Sequence, residues 1–167
     1  SQLAKVLLAL NQRGIPHIVL KGTVLAEQLY GNPGLRTVSD MDILVPPGKV
    51  SEAGSVLTEI GYRQPESGKT REHPFHESPY CKMARFPLVI ELHRDLDDQN
   101  LVHTPLPMIW RRAQPLQTQG VSTKVLSPED TLLFLSNHLS KHASGLLKSL
   151  NDIAELLKKH ADTLDWN

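Results

Sequence analysis

The sequence predicts an α/β core followed by a helical C-terminal part. Two observations carry this fold class. Up to about residue 100, short apolar runs bounded by turn residues alternate with segments of helical periodicity. Beyond that point, the periodicity is helical, and the helices are marked by their own start signals. The 167 residues suit one domain, or one compact core with a small appendage.

In chain order, Leu3, Val6, Leu7 and Leu10 recur at helical spacing across residues 2 to 13, and Gly14 suits the position just past a helix end. Ile15 through Leu20 reads as a short buried strand. It runs into Lys21-Gly22-Thr23, where Thr23 is placed to cap a helix over Val24 to Tyr30. Gly31-Asn32-Pro33-Gly34 is a turn cluster. Asp40 through Val45 forms the next strand, stopped by Pro46-Pro47-Gly48, and residues 50 to 60 form an amphipathic helix closed by Gly61. The polar, His- and Pro-rich stretch from 62 to 87 holds a strand near Tyr80 to Phe86, and Leu88 through His93 is a clearer one. A Pro-rich connector follows. Ser127-Pro128-Glu129-Asp130 then supplies an N-cap serine, a proline at the first helical position and acids in the first turn. That helix runs to about His142, and Gly145 separates it from a last helix with a leucine-rich face. The boundary expected from these patterns divides a core over residues 1–100 from a connector and helical region over 101–167.

Composition narrows the function. There are 18 Lys and Arg against 18 Asp and Glu, so the chain lacks the basic excess of proteins that live on phosphate contacts to long nucleic acids. Cys81 is the one cysteine, which excludes an internal disulfide framework and a Cys-rich zinc site and fits a reducing, cytoplasmic compartment. No apolar run reaches the length of a membrane span.

Asp40 and Asp42 fall two apart on a strand, so they point to one face while Met41 and Ile43 point to the other. At roughly 4 Å and an effective dielectric near 20, two such charges repel by about 4 kcal/mol before screening. A hard divalent cation removes that penalty and prefers oxygen ligands. Glu91 lies opposite Leu88, Ile90 and Leu92 on its own strand, on the face of Val89 and His93. Adjacent strands would bring the three carboxylates together. An isolated pair of aspartates is weak evidence, since Asp40 at a strand start, a solvated Asp42 and a Glu91 paired with Arg94 or Lys82 explain the pattern without chemistry. The preceding segment adds weight. Lys21-Gly22-Thr23 joins a strand end to a helix start, where free N–H groups and the helix dipole favour anions, and Gly22 permits close approach. Arg36 and Ser39 add donors suited to phosphate. A phosphate cradle followed by metal-binding aspartates suits a nucleoside triphosphate, and the glycine-rich P-loop pattern is absent.

These residues resemble the nucleotidyltransferase superfamily that includes DNA polymerase beta, and within it a group of uncharacterised bacterial nucleotidyltransferase-like proteins. The resemblance rests on five blocks in order: Leu20-Lys21-Gly22, Tyr30 through Arg36, Ser39 through Val45, Glu91-Leu92-His93, and Pro128 through His138. It implies a mixed β-sheet flanked by helices. It also implies catalytic carboxylates Asp40, Asp42 and Glu91 holding two Mg²⁺ (or Mn²⁺) ions, with Lys21, Gly22 and Thr23 as the phosphate-binding turn. The implied reaction moves NMP from an NTP such as ATP to a small-molecule or protein acceptor, with release of pyrophosphate. Thr23 stands where the superfamily has a smaller residue, and the stretch from Gly22 to Asp40 carries an inserted Gly/Pro turn near residue 33. The alternative on the same fold is a non-catalytic nucleotide sensor or protein-interaction module. A weaker one is metal-independent hydrolysis by paired carboxylates.

Other features have ordinary explanations. His138 and His142 are one helical turn apart, the spacing of a packed or surface pair as well as of a chelate, and His138 is placed to approach the cleft. His73 and His76 read as loop residues, and Asp95, Asp97 and Asp98 as a solvated acidic turn. Arg111 and Arg112 read as surface residues. His93 shares the face of Glu91 and is placed to orient it. The neutral total also conceals a division: residues 1–39 carry four basic and one acidic side chain, and residues 40–110 carry seven basic and eleven acidic.

Overall fold

The leucine and valine stripe at the N-terminus folds as α1 (Gln2–Gln12) and buries Leu3, Val6, Leu7 and Leu10. Ser1 caps it by accepting from the amide of Ala4, and Gly14 takes a left-handed φ of 62° just past its end. The computed structural model describes residues 1–65, 77–83, 88–96, 105–141 and 146–166. The expected elements recur as β1 (Ile18–Val19), α2 (Thr23–Tyr30), β2 (Asp40–Leu44), α3 (Val50–Glu59), β3 (Glu77–Lys82) and β4 (Leu88–His93). Then come α4 (Leu106–Arg112), β5 (Gln114–Thr118), β6 (Val121–Val125), α5 (Pro128–Lys141) and α6 (Leu146–His160).

The strands form a mixed six-stranded sheet in the order β3-β4-β2-β1-β6-β5. β2 runs parallel to β4, and β1 runs antiparallel to β2 and parallel to β6. Helices pack on both faces. On one face, α1 and α3 cover Met41, Ile43, Ile90 and Leu92. On the other, α2, α4, α5 and α6 cover Ile18, Leu20, Leu44 and Leu126. Burial of these apolar side chains is the main favourable term in holding the layers together.

Three local readings change. The stretch read as a Pro-rich connector supplies α4 and the β5–β6 hairpin, which joins the sheet beside β1. Its turn is Gln119-Gly120, both at positive φ (50° and 77°), the geometry a tight hairpin needs. Pro115 hid the first strand, yet it sits where a proline is tolerated, on the outermost strand of the sheet. The strand expected near Tyr80 to Phe86 begins earlier, at Glu77, and residues 84–87 lie outside the described ones. Gly22, not Thr23, occupies the cap position of α2. The last helix buries Leu156 but leaves Leu147 and Leu150 exposed. Among the described residues, no helix is long and apolar enough to cross a membrane.

Candidate active site

The parallel pairing of β2 and β4 sets Asp40 beside Val89, Asp42 beside Glu91 and Leu44 beside His93. Neighbours in register share a face. The sheet therefore gathers Asp40, Asp42, Glu91 and His93 on the side covered by α5. The side chain of Asp42 is buried, at 1% exposure, whereas Asp40 and Glu91 keep 23% and 26%. The cluster thus opens to solvent past Asp40 and Glu91.

Asp42 lies at its centre. Its Oδ1 accepts from Nε2 of His93 at 3.0 Å, and Nζ of Lys21 is 3.2 Å from the same oxygen. Burial by itself would raise its pKa. The His93 hydrogen bond and the positive charges of Lys21 and His93 outweigh burial and hold the carboxyl well below the ordinary range. Oδ2 is buried with no donor against it, and the Glu91 carboxyl can serve that role only when it carries a proton. His93 is itself held edge-on by Phe134 of α5, with ring centroids 6.3 Å apart.

Lys21 follows β1, whose end faces Asp42 through the bond from the Leu20 amide to the Asp42 carbonyl. Its ammonium donates to Oδ2 of Asp40 at 3.3 Å and to Nε2 of His138 at 2.8 Å, besides pairing with Asp42. Burial would lower its pKa, but the charges of Asp42, Asp40 and Glu91 raise it above the ordinary value. The lysine expected to reach a phosphate is thus drawn onto the carboxylates.

The other expected residues divide. Ser39 donates to Oδ1 of Asp40 at 2.9 Å. Gly22 has φ 88°, and a Cβ there would stand 3.3 Å from the carbonyl oxygen of Asp40, so this turn and β2 approach as only a glycine allows. Thr23 has a buried hydroxyl with no hydrogen-bond partner and lines a cavity of about 460 Å³ with Val38, Ser39, Asp40, Met41 and Val89. Arg36, expected among the phosphate donors, points instead to α6, where its Nε donates to both oxygens of Asp152 at 2.9 and 3.1 Å. Arg112 is committed to Asp130, which Ser127 also holds. Asp95 accepts from the amide of Leu96, as a turn residue does. His73, His76, Asp97, Asp98 and His142 lie outside the described residues.

The fit to a divalent cation is chemical as well as positional. A carboxylate oxygen from each of Asp42 and Glu91 and a ring nitrogen of His93 lie within 4.8 Å of one another. The unpartnered Oδ2 of Asp42 supplies a lone pair that a buried site leaves open at a cost. The carboxylates were legible in the sequence, but two of their supports were not: the counter-ion role of Lys21 and the packing of Phe134 on His93. Lys21 as their counter-ion requires the order β4-β2-β1, which no local pattern reveals. His138 was already placed to approach the cleft, whereas Phe134, one turn before it on α5, carried no signal of its own.

A family model described as an uncharacterised nucleotidyltransferase matches residues 1–167 of the chain. No curated protein matches it in sequence. Among solved structures, the antibiotic-resistance factor ANT(2'')-Ia is similar at a TM-score of 0.63 and 14% identity, over 94% of this chain and 81% of that one. That factor has also been solved in complex with adenylyl-2''-tobramycin. The lincosamide antibiotic adenylyltransferase LnuA, with lincomycin bound, is similar at 0.61 and 15% identity, over 92% and 93% of the two chains. An antigenic nucleotidyltransferase-like protein from Paracoccidioides brasiliensis is similar at 0.59 and 16% identity, over 93% and 73%. At these identities, the likeness is one of fold.

Proposed function

The chain belongs to the uncharacterised nucleotidyltransferase family, and on that premise we propose that it is a metal-dependent enzyme of a reducing cytoplasm. It transfers NMP from an NTP to a hydroxyl of a small molecule or a protein side chain. The observation that carries this reading is the register of β2 and β4, which sets Asp42 beside Glu91, together with the buried Oδ2 of Asp42, which has no hydrogen-bond partner. Similarity to an antibiotic-resistance factor solved with adenylyl-2''-tobramycin and to a lincosamide antibiotic adenylyltransferase supports a small acceptor over a polymer, as does the neutral charge balance.

In this reaction the acceptor oxygen forms a bond to the α-phosphorus, the bond from that phosphorus to the bridging oxygen breaks, and pyrophosphate leaves with the electron pair. Asp42 and Glu91, with His93, would hold a divalent cation, Mg²⁺ foremost, which when bound supplies Lewis-acid activation of the acceptor and of the phosphoryl oxygens. Glu91, at the solvent-facing side, is the carboxylate positioned to take the proton from the acceptor hydroxyl. Without an ion, His93 donates to Asp42 and orients it, a proton it must give up before that nitrogen can serve as a ligand, and Phe134 fixes His93. The Thr23 hydroxyl and the amides at the start of α2 are donors for the triphosphate.

Asp42→Asn keeps the shape of the side chain and removes its charge. With MgATP and MgGTP and a panel of aminoglycoside, lincosamide and simple alcohol acceptors, the parent protein is expected to release pyrophosphate, and Asp42→Asn to lose at least a hundredfold of that rate. Full activity in Asp42→Asn refutes the assignment. Stabilisation by nucleotide with no turnover in the parent protein points to a sensor instead.

A further inference from the structure

We infer that the Lys21 ammonium holds one of the two cation positions expected between these carboxylates, so that the site takes a single divalent ion, on Asp42 and Glu91 with His93. The inference rests on the proposed metal site and departs from it in number and in the role of Asp40.

Asp40 has both of its oxygens engaged: Oδ2 receives Lys21 at 3.3 Å, and Oδ1 receives the Ser39 hydroxyl at 2.9 Å. Asp42 has Oδ1 engaged by Lys21 and His93, while Oδ2 is buried and open. Among the described residues, the grouping with the spacing of a metal site is Asp42, Glu91 and His93, and Asp40 is not in it. A divalent ion bridging Asp40 and Asp42 would have to enter where Nζ already lies near both.

Lys21 is not a loose surface group that a metal could push aside into water. Its side chain is only 8% exposed. A third contact fixes it from the far side, where Nε2 of His138 accepts one of its protons at 2.8 Å. His138 then carries its own ring proton on Nδ1, because Nε2 is the acceptor. The helix bearing His138 also bears Phe134, whose ring lies 6.2 Å from the imidazole of His138 and 6.3 Å from that of His93. One helix face thus braces the lysine and the histidine that share Oδ1 of Asp42. An ammonium so held gives the aspartate pair a permanent unit of positive charge and leaves Oδ2 of Asp42 for the ion. Asp40 then anchors Lys21 and has no ion of its own.

The test counts ions on the full chain with Mn²⁺ alone as the probe, by electron paramagnetic resonance of the unbound ion. Four proteins are compared: the parent, Lys21→Met, Asp40→Asn and Asp42→Asn, each first checked for its fold by circular dichroism. The expected counts are one ion for the parent, two for Lys21→Met, one for Asp40→Asn and none for Asp42→Asn. Two ions on the parent overturn the inference and leave the metal reading intact, as does loss of the ion in Asp40→Asn or a count of one in Lys21→Met. No ion on the parent overturns both. Should Lys21→Met fail to fold, the contrast between Asp40→Asn and Asp42→Asn still decides.

Discussion

Asp152→Ala is the substitution most expected to unsettle this fold, and its size follows from what the carboxylate touches. Asp152 is 1% exposed and receives Nε of Arg36, itself 5% exposed, at 2.9 and 3.1 Å. Tyr30 donates its hydroxyl to the same carboxylate at 2.8 Å and accepts from Asn151 in turn. The Tyr30 pKa is accordingly pushed up to about 12, by burial and by its bond to Asp152. Removing the carboxylate strands a buried guanidinium, which costs ~3–5 kcal/mol. The lost tyrosine bond adds about 1 kcal/mol, partly offset because Asn151 remains. A total of about 4–5 kcal/mol is a large part of ordinary domain stability, and at this chain length it corresponds to a Tm lower by roughly 10–15 °C. Urea denaturation of both proteins measures it. The double variant Arg36→Met/Asp152→Leu removes both charges and should recover most of the loss. A cost below about 1 kcal/mol for Asp152→Ala, or a double variant less stable than the single, would refute the reasoning that a stranded charge dominates.

Gly54→Ala should destabilise although alanine is the better helix former by about 1 kcal/mol. A methyl at that place in α3 collides with the Tyr80 hydroxyl, and such overpacking costs ~1–3 kcal/mol. Tyr80→Phe in the same protein should recover part of that loss, as read by thermal denaturation, since the ring carbon Cζ still lies 3.0 Å from the methyl. Gly22→Ala meets both a φ of 88° and the Asp40 carbonyl, so it should cost ~1–3 kcal/mol and raise KM for the nucleotide more than it lowers kcat. In EDTA, the depressed Asp42 pKa gives stability that is present above its unfolded value, about pH 4, and lost as pH falls through the folded one. Denaturation curves from pH 7 down to pH 3 should therefore be shallower for Asp42→Asn than for the parent. Lys21 works in the opposite sense: its raised pKa gives stability present below its unfolded value, about pH 10.4, and lost only as pH rises past it.

Alternation made the carboxylates legible. Two aspartates alternating with Met41 and Ile43, and a glutamate opposite three apolar residues, announce which side faces the cleft without any knowledge of the fold. Strand and helix limits were also readable where a cap or a glycine marked them, as at Ser127 and Gly61. What the sequence concealed were choices of partner. Arg36 precedes the acidic strand and has the donors for phosphate, yet it settles on Asp152, 116 positions away, because a buried carboxylate outcompetes solvent for a guanidinium. Lys21 follows the same logic with Asp40 and Asp42. The hairpin at 114–125 was obscured by one proline and by a Gln-Gly turn where Asn-Gly is the usual signal. Pairings over such distances are fixed by strand order, and strand order is a property of the whole chain.

β1 is the narrowest part of the sheet. Two residues, Ile18 and Val19, stand between the carboxylate-bearing strands β4 and β2 and the hairpin β6 and β5, and a single pairing, Val19 with Val125, joins β1 to the hairpin. The sheet is therefore two stiff leaves sharing a short seam, with few ladder bonds to resist twisting about it. Lys21 sits at the end of that seam, two residues beyond Val19. Two pairings to β2 and the bond from the Leu20 amide to the Asp42 carbonyl tie that end of β1 to the carboxylate leaf, so a small rotation of the hairpin leaf leaves the ammonium with Asp40 and Asp42. The charge balance of the cleft is thus carried on one leaf, insulated from the hairpin on the other side of the seam.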